Sequence, residues 1–167
     1  MNDVLSHQEV LLRMAVSLLV GLIIGFERTV SRKPAGIRTY SLVCIGSTLF
    51  MIVSAYGLQV VPVGAITRSI DPGRVAAQII TGIGFLGAGM IMQDRGRVRG
   101  LTTAAELWAT AGLGMAIGLG LYVLTAVSVL AVFMGLYSHN FFNRMGILPP
   151  EERESESAEC EKKLVRP

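Results

Sequence analysis

One acidic residue lies inside an apolar segment of this chain. Glu106 lies in the run LTTAAELW. This run follows a glycine-rich apolar segment, VAAQIITGIGFLGAGMIM, and an arginine-rich turn, QDRGRVRG. An ionisable residue is costly to insert in a membrane, and it usually marks a functional site or an ion pair that faces the interior of a helix bundle. We predict that Glu106 is the residue most closely linked to function and that Arg38 or Arg99 is its ion-pair partner.

Further charged residues gather near the same predicted membrane face. They are Glu27, Arg28, Arg38, Asp94, Arg95, Arg99 and Glu106. Three interpretations stay open. Two predicted helix starts, at 36–39 and 100–103, could bind a phosphate or a lipid head group together with the arginines. Glu27 and Glu106 could instead bind a cation or carry protons, or the whole set could form ion pairs that only hold the helices together.

Two charged residues near other segment ends have structural interpretations. Asp71 and Pro72 match the N-cap and first-turn proline of a helix, and Arg74 could pair with Asp71. Arg13 lies near the outer end of the first apolar segment, where it is predicted to snorkel to the lipid head groups and act as an anchor. Asp71 and Arg74 are kept as functional candidates, and Arg13 is not.

The elements that must position these residues are membrane helices. Hydrophobic residues make up 51% of the 167 residues, charged residues only 16%, and the mean hydropathy is +0.56. Five apolar stretches approach the roughly 20 residues that a helix needs to cross a bilayer. They are Val10–Phe26, Ile37–Tyr56, Val75–Met92, Leu101–Ile117 and Leu119–Tyr137. We therefore predict an all-α, polytopic membrane bundle of about five transmembrane helices, in which the glycines at 118–120 allow a tight hairpin and the first span is retained rather than cleaved.

Loop charges predict the orientation. The loops at 28–38 and 95–99 are rich in arginine and lysine, so they are expected in the cytoplasm. With five spans the N-terminus is then outside and the C-terminus is cytoplasmic. Residues 1–145 form the predicted membrane domain, and the Glu-rich segment 146–167 is expected to be a disordered cytoplasmic tail.

A faint internal repeat appears when residues 25–46 are laid on residues 89–110. Gly25 and Gly36 then match Gly89 and Gly100, and GIRT matches GLTT. This favours two parallel helix-hairpin repeats plus one helix. The alternative is that any two hairpins with basic loops look this similar.

Small residues at helical spacing predict close helix packing. The candidates for packing are Gly21, Gly25, Gly84, Gly87 and Gly89. In the third span a face of small residues contains Ala77, Thr81, Gly84 and Ala88, and in the fourth span a similar face contains Thr103, Glu106, Thr110 and Gly114.

No catalytic constellation competes with the membrane interpretation. His7 and His139 lie far apart, no Gly-x-Ser-x-Gly or Walker-type loop occurs, and neither Cys44 nor Cys160 has a neighbour at metal-ligand spacing. We predict a protein that is not an enzyme, has no cofactor and binds no nucleic acid. Whether it binds a metal is left open.

Four segments together resemble the membrane domain of MgtC/SapB proteins. They are GLIIGFER at 21–28, KPAGIRTYSLVCIG at 33–46, DPGRVAAQIITGIGFLGAGMIM at 71–92 and VRGLTTAAELW at 98–108. The resemblance covers most of residues 10–137. It implies a bacterial inner-membrane protein of five spans that is linked to growth at low magnesium and, in pathogens, to survival inside phagocytes. It also implies that the protein modulates other membrane proteins, notably the ATP synthase and P-type magnesium pumps. Apart from the resemblance, a homo-oligomer is a further candidate partner, because the pair Gly21 and Gly25 could pack between subunits.

The chain departs from better-studied members of that family in two ways. Those members carry an ACT-like domain after the last span, which is expected to be absent here. The virulence-linked members also have Asn at the position of Thr102 and Cys at that of Ala109, so Thr102 and its neighbour Thr103 join the functional candidates. These departures favour a role in ion or envelope homeostasis as much as one in virulence.

Two function classes therefore stay open. The chain is either a regulator that docks small-residue helix faces on a partner in the membrane, or a small channel or carrier for Mg²⁺, another ion or protons. The Gly-rich third span favours the regulator, and the buried position expected for Glu106 favours the carrier.

Overall fold

A computed structural model describes residues 5–56, 72–94 and 97–145 of the chain. Asp71, Arg95 and the segment 146–167 lie outside the described residues, so the predictions that concern them are not addressed by the structure. Side chains are not described at 72, 94, 97 and 139–144.

Five helices account for almost all of the described residues. They are α1 (His7–Val30), α2 (Ile37–Tyr56), α3 (Pro72–Met90), α4 (Leu101–Gly118) and α5 (Tyr122–Arg144). Each corresponds to one predicted span, and the chain is an all-α membrane bundle. Two of the helices, α1 and α2, are long and apolar enough to cross a membrane by length and composition alone.

Local residue choices explain where several helices begin and end. The Ser6 side chain caps α1 by accepting a hydrogen bond from the Glu9 backbone N–H at 3.2 Å. Gly120 has a φ of +79°, a conformation that disfavours any residue with a Cβ, and it separates α4 from α5. The predicted break between the fourth and fifth spans at 118–120 is therefore confirmed.

The predicted end of the third span at Met92 is wrong, because α3 stops at Met90. The chain then forms a short antiparallel hairpin of β1 (Met92–Asp94) and β2 (Arg97–Arg99), in which Met92 pairs with Arg99. Gly100, with a φ of +87°, lies against the carbonyl of Met90 and turns the chain into α4. A side chain at position 100 would collide with that carbonyl, which is why glycine is found there.

The chain forms two compact units, Met1–Leu130 and Ala131–Pro167. The first contains α1 to α4 and the beginning of α5. In the second, the rings of Phe133 and Tyr137 stack with their centres 6.5 Å apart.

Within the first unit, α2 packs against both α1 and α4, and glycines allow the close approach. A Cβ at Gly21 would lie 2.6 Å from the Cα of Ser41, and one at Gly25 would lie 2.6 Å from the Cα of Ile37. On α4, a Cβ at Gly114 would lie 2.5 Å from the carbonyl oxygen of Cys44. The paired glycines of α1 therefore serve packing inside the chain.

The glycines of α3 behave differently. Gly87 lies at ordinary contact distance from Ala104, whereas a Cβ at Gly84 or Gly89 would have no neighbour within 4 Å among the described residues. Within the described part of the chain, Gly84 and Gly89 therefore do not pack against another helix. Gly89 also lacks the backbone contact of its proposed counterpart Gly25, so the packing gives the internal repeat no support.

Candidate functional site

Glu106 is buried where α1, α2 and α4 meet. Helix α4 places Thr103, Glu106, Thr110 and Gly114 on one face, at helical spacings of three and four, and this whole face is buried. Only 4% of Glu106 is exposed. The hydroxyl of Thr110 donates to the backbone carbonyl of Glu106 at 2.8 Å, so it does not use the carboxylate.

Two donors hold one oxygen of the Glu106 carboxylate. The Arg28 guanidinium of α1 lies 3.1 Å from Oε2, and the Tyr40 hydroxyl of α2 donates to the same oxygen at 3.0 Å. Both donors are buried, with 5% of Arg28 and none of Tyr40 exposed. The site thus joins three helices through one carboxylate oxygen.

The predicted partners of Glu106, Arg38 and Arg99, are wrong. Both side chains are exposed. Arg38 precedes Tyr40 by two residues, about 200° around a helix, so it points away from the side of α2 that faces Glu106. The sequence carries one signal for Arg28, because Gly21, Gly25 and Arg28 share one face of α1 at spacings of four and three, but it does not show which helix that face meets.

Glu27 is the second carboxylate of the site. The Nε of Arg28 donates to Glu27 Oε2, and the Ser31 hydroxyl donates to Glu27 Oε1 at 2.8 Å. The Glu27 side chain is 15% exposed, against 5% for that of Glu106. Arg28 therefore links a partly exposed carboxylate at the end of α1 to a fully buried one on α4.

The other oxygen of Glu106, Oε1, is buried and has no hydrogen-bond partner among the described residues. A buried polar atom without a partner costs free energy, and the cost is larger when the group is charged. This atom is the least satisfied part of the site.

The remaining candidates do not gather around Glu106. Arg38, Arg74, Arg99 and Thr102 are exposed, and Thr103 is buried at 2% exposure on the same face of α4 as Glu106. The expected anion site at the start of α2 is partly occupied by the chain itself, because the Ile37 N–H donates to the Thr29 hydroxyl at 3.1 Å.

Arg13, near the beginning of α1, is a second buried charge. From the sequence it was predicted to be a lipid anchor. Arg13 is 5% exposed; it donates to the carbonyl of Gly118 at 2.6 Å, donates to Glu9 at 3.0 Å and lies 5.1 Å from the centre of the Tyr56 ring. The snorkelling prediction is therefore wrong. The C-terminal carbonyls of α4 carry partial negative charge and attract a cation, and this is the physical reason for the burial.

Metal ligation has few candidate groups. The described residues contain no group of three or more His, Cys, Asp or Glu side chains that could hold a metal ion.

Comparison with known proteins identifies the family of this chain. The family model described as "MgtC family" matches residues 14–145, a range that includes Arg28, Tyr40 and Glu106. The chain belongs to the MgtC family.

Several curated proteins resemble the chain over much of its length. It is 46% identical to YhiD of Escherichia coli (strain K12), whose name proposes magnesium transport, over 116 residues that make up 70% of the chain and 54% of YhiD. It is 38% identical to Protein MgtC of Salmonella typhi over 157 residues, which are 93% of the chain and 61% of that protein. An uncharacterized protein of Haemophilus influenzae is 39% identical over 73% of the chain and 51% of its own length.

The chain thus spans between 51% and 61% of the length of these relatives. No solved structure matches it.

Proposed function

We propose that this MgtC-family protein acts in the bacterial inner membrane, where it supports growth at low magnesium by modulating another membrane protein through direct contact with α3. The single observation that carries this proposal is an exposed face of small residues on α3. Ala77, Thr81, Gly84 and Ala88 share one side of the helix, and all four are exposed. We call this set the small face of α3.

The small face differs from the equivalent faces of α1 and α4. Gly21, Gly25 and Gly114 are already in contact with the backbone of α2, whereas a Cβ at Gly84 would have no neighbour within 4 Å in the part of the chain that the structure describes. In lipid the hydrophobic effect does not drive two helices together, because lipid tails are as apolar as the helix side chains. Helices therefore associate through small residues that allow close packing. An open stripe of this kind suits a transmembrane helix of a second protein.

Two other sides of α3 face the rest of the chain. Gly87 contacts Ala104 of α4. Towards α2, an apolar groove of about 480 Å³ is lined by residues of both helices, among them Phe50, Gln78 and Leu86. By helical position the small face lies on the side of α3 away from this groove. The partner we propose is a membrane subunit of the ATP synthase or of a P-type magnesium pump, as the family resemblance implies.

Photocrosslinking in living cells tests the docking. A photoreactive amino acid replaces Thr81 on the small face, or Val127 on α5 as the control, because 60% of Val127 is exposed. Cells grown at low magnesium should give a Thr81 crosslink to a subunit of one of those ATPases and no such product from Val127. A crosslink only to a second copy of the chain would replace the proposal with a homo-oligomer, and a crosslink only to lipid would refute it.

A second candidate function is transport of a small ion, and the free Oε1 of Glu106 favours it. A buried, unpaired carboxylate oxygen inside a membrane bundle is typical of ion pathways and proton relays. Purified protein in liposomes should then show ion flux that Glu106→Gln removes. Equal flux in wild type and Glu106→Gln would exclude this carboxylate from any transport.

A further inference from the structure

The buried charges around Glu106 do not balance if every group is ionised, because the further cation nearby, Lys33, is exposed and acts on Glu27. Arg28 supplies one positive charge and faces two carboxylates, Glu27 and Glu106. The buried cluster would then carry a net charge of −1. A buried charge without a partner is strongly unfavourable, and such a group usually becomes neutral instead.

Hydrogen bonding distinguishes the two carboxylates. Both oxygens of Glu27 accept hydrogen bonds, one from Arg28 and one from Ser31. Glu106 is asymmetric, because Oε2 faces Arg28 and Tyr40 while Oε1 is buried and has no partner among the described residues. An ionised carboxylate accepts at both oxygens, whereas a neutral carboxyl group accepts mainly at its carbonyl oxygen and carries a proton on the other. The pattern at Glu27 is that of an ion. At Glu106 the unpaired Oε1 costs less free energy as part of a neutral acid than as part of a carboxylate, because an unpaired buried group is costlier when it is charged.

We propose that Glu106 is a proton-binding site, in which Oε1 carries one proton and Oε2 is the carbonyl oxygen that accepts from Tyr40 and faces the Arg28 guanidinium. The carboxylate accepts this proton from hydronium in the aqueous phase, which becomes water, and the carboxylate becomes a carboxylic acid. The cluster of Glu27, Arg28 and Glu106 then changes from a charge of −1 to neutrality, and Arg28 keeps its ion pair with Glu27.

Charged and titratable groups on every neighbouring helix are consistent with this assignment. Helix α1 contributes Glu27 and Arg28, and α2 contributes Tyr40, with Cys44 one turn further along, next to Gly114. Glu106 is the only charged residue in α4. In the sequence of α3, the only charged residue is Arg74, which is exposed near the start of that helix.

A metal ion fits the same place poorly. Mg²⁺ requires about six oxygen ligands in octahedral geometry, and even a weakly coordinated cation needs several. Oε1 offers one free oxygen, while both oxygens of Glu27 are occupied by Arg28 and Ser31. The nearby guanidinium would also repel a cation. A proton needs only one oxygen.

The physiological role of this proton site rests on the carrier function proposed above. The site identifies the carried ion as a proton. Proton binding itself is measured without transport, so the two claims are separable. Proton flux without a protonated Glu106 would refute this inference alone. A protonated Glu106 in a protein that conducts no protons would leave the site in place and refute the carrier function.

Infrared spectroscopy of the purified full chain in detergent at neutral pH tests the proton directly. A protonated carboxyl group gives a C=O stretching band separate from those of carboxylates, and the band shifts in D₂O because the proton exchanges. We expect this band in the wild type and its loss in Glu106→Gln. The matched control is Glu9→Gln, because Glu9 pairs one-to-one with Arg13 and 41% of its side chain is exposed, so the band should be unchanged.

Two further variants keep the test informative if Glu106→Gln does not fold. Tyr40→Phe removes one of the two groups that bind Oε2, so the band should persist and move to higher frequency. Glu27→Gln removes the competing carboxylate, so Arg28 can pair with ionised Glu106 and the band should weaken. A missing band in the wild type, a band that survives Glu106→Gln, or a band that disappears when NaCl or MgCl₂ is added would overturn the proposal.

Discussion

Glycine-to-alanine substitutions separate packing inside the chain from docking outside it. In Gly25→Ala the new Cβ would lie 2.6 Å from the Cα of Ile37, and 3.1 and 3.2 Å from its backbone nitrogen and oxygen. Carbon atoms in contact prefer about 3.5 Å or more, so α1 and α2 must separate locally by about 1 Å. The obstacle is backbone, which cannot rotate away as a flexible side chain could.

The expected cost follows from comparison with an open glycine. Overpacking a well-packed interface by a methyl group costs about 1–3 kcal/mol. Alanine also stabilises a helix by about 1 kcal/mol relative to glycine. Gly25 and Gly84 both lie inside helices, so this gain is the same in the two variants and cancels in their comparison. Gly84 has nothing within 4 Å. We therefore expect Gly25→Ala to be less stable than Gly84→Ala by about 1–3 kcal/mol.

Thermal unfolding of the two purified variants in the same mild detergent measures this difference. Gly25→Ala should melt below the wild type, and Gly84→Ala should melt at or slightly above it. Equal melting temperatures for the two variants would refute the close packing of α1 on α2.

Three further predictions concern other parts of the chain. Arg13→Gln should lower the free energy of unfolding by about 1–3 kcal/mol, because it removes a charged hydrogen bond to the α4–α5 turn, and a melting temperature equal to that of the wild type would contradict the role of Arg13. A single cysteine at Ser31 should escape a membrane-impermeant reagent applied outside the cell, since its basic loop is expected in the cytoplasm, while one at Gly64 should react; labelling at Ser31 would reverse the orientation. Truncation after Leu148 should leave expression and melting nearly unchanged, since the tail has little apolar surface to bury, and a large loss would show that the tail docks on the body.

The hydropathy pattern and the positions of the glycines predicted most of the fold. The five apolar stretches became five helices, and the break at 118–120 was correct because a glycine with positive φ was needed there. The hairpin at 92–99 was missed, since three-residue strands are too short to show an alternating pattern.

The site was predictable only in part. The apolar context of Glu106 indicated burial, and the structure buries it. Its partner Arg28 was missed because pairing depends on which faces of α1, α2 and α4 meet, and a single sequence shows faces but not their neighbours. Arg13 was misplaced for the same reason, since its acceptor is a backbone carbonyl 105 residues away. Every residue has a backbone carbonyl, so the residue type does not indicate that this carbonyl accepts a hydrogen bond from Arg13.

Growth at low magnesium tests the proposed docking of α3 most directly. The strain should lack its own protein of this family and grow poorly at low magnesium, and the variant to introduce is Gly84→Leu, which fills the small face with a bulky side chain. Gly135→Leu on α5 is the matched control, because Gly135 is also exposed and has no described neighbour within 4 Å. With equal amounts of protein in the membrane, wild type and Gly135→Leu should restore growth and Gly84→Leu should not. Full growth with Gly84→Leu would contradict the account.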